Sequence, residues 1–282
     1  MAETTPPPEA MKGISKGLYM ATVVGVAIAA FVAGLGSYSV IYPSSPSPSE
    51  KTYIIGTNTP FPPFESLDDA ETIVGFDIDL ISAVLNRSGK EFVIRDFRDF
   101  GALLTSVQTH RVDIAVSAIT SSGTTGANRN ATMSFSDPYF ESDQAILVRK
   151  GYTGVTCASG NCVAADIEGE KIATQAGTTS EYWVADNVLS GPAQTTFADV
   201  TLVLEALRTS GVDVVVIDKP AGDAIASANP TLYELSGTVQ TDELYSFAVP
   251  KGDPDRLLPV INGELAKMRT DGTYAQIVDK WF

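Results

Sequence analysis

A single histidine and two cysteines are all the thiolate or imidazole ligands that this 282-residue chain can offer a transition metal. A structural zinc site wants four clustered ligands, so no metal and no cofactor is expected. Histidine catalysis has the same shortage, because His110 lies beside Arg111 just ahead of an apolar run. Cationic charge is scarce too. Nineteen Lys and Arg against 34 Asp and Glu leave a formal net charge of -15, and that argues against nucleic acid, whose phosphates call for a basic surface. Disorder is excluded by composition, since 44% hydrophobic residues are enough for a large core or two lobes of ordinary domain size.

Long hydrophobic runs are equally rare, with one exception. Residues 17–42 carry no charge, and at about 1.5 Å rise per residue such a helix exceeds the roughly 30 Å hydrocarbon core. Lys12 and Lys16 precede the run and Glu50 is the next charge. Positive-inside logic then puts a short tail, 1–16, in the cytoplasm and everything after 42 outside it. A cleavable signal peptide is the competing reading. Its apolar core is typically about 7–15 residues with a small-residue cleavage motif, which favours an uncleaved single-pass anchor at 17–42. The PSSPSPSE stretch within 43–51 reads as a Pro/Ser tether.

Cys157 and Cys162 bracket ASGN, a turn-like sequence. Two free thiols are one possibility. If the anchor places this region outside the cell, oxidation to a disulfide is expected, stabilising by roughly 2 kcal/mol in the chain-entropy model.

After the tether, short apolar runs alternate with amphipathic stretches. Strands are expected at 53–57, 92–94, 112–119, 171–175 and 213–217, and helices at 77–86, 102–109, 179–189, 201–209 and near the C-terminus. The alternation implies α/β units with mainly parallel sheets covered by helices on both faces. Ligand groups then belong at strand C-terminal ends and helix N-termini. Thr57-Asn58, Ser117 to Thr120, Gly177 to Thr179 and Asp218 occupy such ends.

One stretch concentrates binding chemistry. In 112–142, Val112, Ile114, Val116 and Ile119 read as buried strand, and Ser117, Thr120 and Arg129 supply hydrogen-bond donors past its end. A guanidinium fork there offers bidentate, charge-assisted bonds to a carboxylate. The alternative for Arg129 is a solvated loop arginine.

Seven motifs in order, GTNTPFPPFE (56–65), IVGFDIDL (73–80), RVDIAVSAIT (111–120), FSDPYFES (135–142), QAGTTSE (175–181), GVDVVVIDKP (211–220) and DGTYAQIVDKWF (271–282), resemble the amino-acid-binding family of extracytoplasmic solute-binding proteins that feed ABC importers. The resemblance runs from about Tyr53 to Phe282. It implies a two-lobed periplasmic-binding-protein-like clamp of type II, with 52–140 plus 248–282 as lobe 1, 141–247 as lobe 2, and crossing strands near 140–143 and 244–247. Such clamps close by hinge motion.

The resemblance also assigns roles. Arg129, six residues before Phe135, matches the arginine that grips the ligand α-carboxylate, although SSGTTGAN (121–128) is longer than the family's usual connection. Thr178 and Thr179 match a carboxylate-binding helix N-terminus, where Thr178 with Glu181 also reads as a capping box. Asp218 matches the acid paired with the α-ammonium, a group costly to bury without a partner; its other reading is a helix N-cap. Ser117, Ala118 through its backbone, and Thr120 complete the main-group contacts, and Phe61 and Phe100 wall the side chain. Asn58 stands where relatives taking basic side chains often carry Asp, so a polar or uncharged amino acid is favoured. The implied partners are a free amino acid, a permease and its ATPase. Competing functions are a cyclohexadienyl or arogenate dehydratase-like enzyme on the same clamp and a ligand-sensing ectodomain. The first lacks a spare acid or base of tuned pKa among the matched positions, and the second has only the short 1–16 tail for a signalling domain.

Overall fold

A computed structural model describes residues 51–192 and 194–282. The expected anchor at 17–42, with its flanking tail and all of the tether but Lys51, lies outside them. Among the described residues no helix is long and apolar enough to cross a membrane.

The chain runs β1 (Tyr53–Thr57), β2 (Ser66–Leu67), β3 (Ile73–Val74), α1 (Phe76–Arg87), β4 (Phe92–Asp96), α2 (Phe100–Gln108), β5 (Ile114–Ala115), α3 (Gly123–Asn130), β6 (Met133–Phe135) and β7 (Phe140–Arg149). It continues through β8 (Ile172–Gln175), α4 (Thr179–Asn187), β9 (Thr195–Phe197), α5 (Val200–Arg208), β10 (Val214–Asp218), α6 (Lys219–Ala228), β11 (Tyr233–Tyr245), β12 (Ala248–Pro250), α7 (Leu257–Asp271) and α8 (Thr273–Trp281). Helix starts follow local chemistry. The Asp99 side chain accepts from Ala102 N at 2.7 Å at the head of α2, and Asp199 from Leu202 N at 3.0 Å at the head of α5. Gly272, in the left-handed region at φ 86°, ends α7 where Asp271-Gly272 signals a stop.

Two five-stranded sheets form, in the orders β4-β1-β5-β12-β6 and β11-β7-β10-β8-β9. One apolar core packs α1 and α7 on the first sheet, with Phe76, Leu80, Val84, Ile261 and Leu265 all buried. Another, with Leu147, Val203, Leu207 and Val215, fills one face of the second.

Each sheet is half antiparallel rather than mainly parallel. Strand β12 pairs antiparallel with β5 and β6, and β7 pairs antiparallel with β10 and β11. The reason is topological: β7, β11 and β12 enter or leave along the chain's passages between the sheets, not by a right-handed βαβ crossover. At those passages Glu243 lies opposite Ser142, Leu244 opposite Glu141 and Tyr245 opposite Phe140.

Two further differences from the sequence expectation bear on the site. Only Ile114–Ala115 of the 112–119 run joins the ladder. Beyond it Ala118 turns to φ 45°, and its N–H goes to Asp77 Oδ2 at 2.8 Å instead of to a strand. SSGTTGAN is not an extended loop, since most of it folds into α3, whose last turn carries Arg129. A disulfide joins Cys157 and Cys162. Its small loop docks on β11 through Cys162 N to Thr238 O at 2.7 Å and Thr238 N to Gly160 O at 2.8 Å.

Candidate functional site

All ten residues expected at a ligand site line one cavity between the two sheets. Asn58, Phe61, Phe100, Ser117, Ala118, Thr120 and Arg129 come from the first sheet's side, and Thr178, Thr179 and Asp218 from the second's. The cavity volume is ≈ 30 Å³, room for no more than a water or two, so the two sides stand closed on each other. Val200, Val203 and Val215 make its apolar floor.

Arg129 is only 8% exposed. Its Nη1 donates to Thr120 O at 3.0 Å and its Nη2 to Gly177 O at 3.0 Å, so one guanidinium spans the two halves. The Phe100 ring lies 5.4 Å below it, close enough for a cation–π contact. Burial pushes the guanidinium down from its usual pKa, opposed by the charges of Tyr182, Glu243 and Asp218.

Asp218 faces it from the end of β10 at 6% exposure. Gln144 Nε2 donates to its Oδ1 at 2.6 Å and the Tyr245 hydroxyl to its Oδ2. Burial, then the Glu243 charge, pushes the Asp218 carboxyl up to about 7 against those hydrogen bonds and Arg129. Its N-cap reading is not realised through the side chain, which makes no cap hydrogen bond to α6.

At the head of α4, Thr178 caps Glu181 N at 3.3 Å. The expected capping box is displaced by one residue, because the Glu181 carboxylate accepts from Gly177 N at 2.6 Å. Thr179 Oγ1 donates to Glu243 Oε2 at 2.8 Å, and Thr120 Oγ1 donates to the same oxygen at 2.6 Å. With both hydroxyl protons committed to Glu243, these threonines can meet a ligand through backbone groups and lone pairs. Backbone N–H groups at the start of a nine-residue helix suit an anion.

Behind Ser117 and Ala118 sit two wholly buried carboxyls. Ser117 Oγ donates to Glu65 Oε1 at 2.5 Å, and Tyr139 Oη to Asp77 Oδ2 at 2.7 Å. Burial and the neighbouring Asp77 charge hold Glu65 well above the usual carboxylate range, and burial lifts Asp77 to about 7.

Four polar residues around the site were not anticipated. Gln144 aligns opposite Asp218 in the β7–β10 register and bonds Asp218, Glu243 at 2.7 Å and Ser180 at 2.7 Å. Glu243 sits in a passage strand two residues before Tyr245, hence on the same face. Ser180 and Gln175 line the cavity, and both belong to QAGTTSE, a motif already singled out. Nothing local marks Gln144 or Glu243 as ligand-facing.

Residues 53–282 match the family model of bacterial extracellular solute-binding proteins, family 3. The chain is 28% identical over 232 residues to the L-cystine-binding protein of Escherichia coli (strain K12), covering 82% of each. It is 30% identical to a probable histidine-binding protein of Neisseria gonorrhoeae, over 82% of this chain and 83% of that one. Among solved structures, an ancestral arginine-binding protein bound to glutamine superposes with a TM-score of 0.74 at 34% identity, covering 82% of this chain and 97% of that one. The arginine-, lysine-, histidine-binding protein of Geobacillus stearothermophilus gives 0.72 at 29% identity over 82% and 95%.

Proposed function

The chain belongs to the bacterial extracellular solute-binding proteins, family 3, binding proteins of transporters and not enzymes, and from that premise we propose that it is the membrane-anchored receptor of an ABC importer for an L-amino acid with a polar or uncharged side chain. The observation that carries this reading is a pair of buried opposite charges, Arg129 and Asp218, on one cavity. An amino acid's carboxylate and ammonium complement such a pair, and burial makes each match worth more than it would be in water. No other charged side chain lines the cavity among the described residues, which supports a ligand of net zero charge.

In this proposal Arg129 and the α4 N-terminus take the carboxylate, and Asp218 takes the ammonium with Ser117, Ala118 and Thr120. Phe61, Phe100 and Asn58 surround the side chain. Segments 52–140 with 248–282 form one jaw and 141–247 the other. Residues 17–42 tether the receptor outside the cytoplasm beside its permease and ATPase, an assignment resting on their uncharged length.

Calorimetric titration of the protein with the twenty amino acids is the test. One or a few should bind, and Arg129→Ala and Asp218→Ala should each cost about 2–5 kcal/mol, the usual loss on truncating one partner of a buried charge pair, while circular dichroism stays that of the parent. Near-parent affinity in either variant removes that residue from the site, and no binding by any amino acid defeats the proposal.

A further inference from the structure

Two side-chain amides meet across the cavity, and backbone carbonyls fix which way each one faces. Asn58 bonds Phe97 O at 2.6 Å; a carbonyl only accepts, so the atom there is Nδ2 and the other end of Asn58 is its oxygen. That oxygen in turn accepts from Gln175 at 2.8 Å, and Gln175 also meets Ala198 O at 3.2 Å. Both contacts require a donor, so both hydrogens of Gln175 Nε2 are used.

Two polar functions are left over. One hydrogen remains on Asn58 Nδ2 after Phe97. Gln175 Oε1 takes no donor among the described residues, and it is not one of the fully enclosed unpartnered atoms. Asn58 and Gln175 both line the cavity. The pair therefore offers a ligand one donor and one acceptor side by side.

Their place in the sheets puts this pair one strand away from the proposed ammonium contacts Asp218, Ser117 and Thr120. In the first sheet β1, which leads into Asn58, lies one strand further from β12 than β5, which leads into Ser117 and Thr120. In the second, β8, which ends at Gln175, lies one strand further from β7 than β10, which ends at Asp218. One strand spacing is about 4.8 Å, the reach of a short side chain.

We infer that Gln175 and Asn58 together read a terminal carboxamide, so that the amino acid taken is of the glutamine and asparagine class; this rests on the amino-acid reading above. A carboxamide returns one acceptor and one donor and satisfies both partners. A carboxylate side chain sets an anionic oxygen against the Gln175 carbonyl. A cationic one meets the Asn58 N–H and finds no counter-charge at that end, and an apolar one leaves both polar groups buried and unpaired.

The test is titration of the full-length protein with L-glutamine, L-asparagine, L-glutamate, L-methionine and L-arginine, for the parent, Gln175→Met and Asn58→Asp. The parent should bind glutamine or asparagine at least about tenfold tighter than methionine, glutamate or arginine. Gln175→Met should bring the carboxamide ligand and methionine within about threefold of each other, because the side chain keeps its length and loses its amide. Asn58→Asp keeps an acceptor for Gln175 but exchanges its N–H for a charge, and should move the preference toward arginine; it decides the matter if Gln175→Met does not fold. A parent that prefers methionine, glutamate or arginine overturns the inference and leaves the amino-acid receptor standing. An unchanged carboxamide preference in the folded variants overturns it as well. Failure to bind any amino acid removes the receptor reading and this inference with it.

Discussion

Asp218 does more than oppose Arg129, because burial has moved its titration to about 7, into the range where cells live. An ammonium ligand needs the ionised carboxylate, so below pH 7 binding must expel a proton. Affinity is expected to climb with pH by up to about tenfold per unit below 7 and to level off above it. Titrations in buffers of different ionisation enthalpy measure the released proton, and a flat profile from pH 5 to 8 excludes the effect. The stability of the protein without amino acid runs the other way. A carboxyl raised from 3.8 to about 7 favours the protonated folded state, a contribution complete below 3.8 and lost as pH rises through about 7. Asp77 has the same sign. The decline in melting temperature between pH 5 and pH 8 should therefore be shallower in Asp218→Asn than in the parent.

At the scale of elements, α3 is the least expected piece. Gly, Ser, Thr and Asn are poor helix formers, and GTTGANRN is built almost wholly of them. Tertiary contacts supply what propensity withholds: Ser121 N donates to Leu244 O at 2.8 Å, Leu244 N donates to Ser122 Oγ at 2.9 Å, and Arg129 anchors the last turn through Thr120 and Gly177. The glycine at 126 is required by closeness. A Cβ there would stand 2.1 Å from the Ser121 carbonyl carbon and oxygen. Gly126→Ala must therefore shift α3 against β11 and move Arg129 with it, at about 1–3 kcal/mol for overpacking. Denaturant melts would register that loss, and amino-acid affinity should fall at the same time; a variant with parental stability and affinity would show that the helix yields freely. Elsewhere local signals were sufficient, since Asp99, Asp199 and Gly272 punctuate their helices as such residues do.

For the whole molecule, the two halves are joined by side-chain bonds across the cavity: Arg129 to Gly177, Gln175 to Asn58, and Thr120 and Thr179 to the shared Glu243 oxygen. An amino acid is larger than the ≈ 30 Å³ cavity, so in the proposed reading the halves part to admit it and its bonds to both sides draw them together again. At a hundredfold excess over Kd the bound state gains about 2.7 kcal/mol, worth roughly 5–10 °C in melting temperature for a unit of this size. Thermal shift with the preferred amino acid checks this, and no upward shift at saturation would separate binding from folding.

How much of this was legible follows from range. Apolar periodicity and turn residues place strands and helices within a few positions, and an acidic, histidine-poor composition argues against a zinc site and against nucleic acid. Motif order located Arg129, Thr178 and Asp218 as well as Asn58, all on the one cavity. The partners of those residues were not legible, because hydrogen bonds between side chains 117 and 123 positions apart, Gln175 to Asn58 and Thr120 to Glu243, leave no periodic or local trace. Sequence determined which chemical groups this protein possesses and which strand ends present them. Only the tertiary structure decided that Gln175 faces Asn58, that Glu243 claims the threonine hydroxyls, and that burial lifts Asp218, since desolvation and the direction of an amide depend on what surrounds it in space.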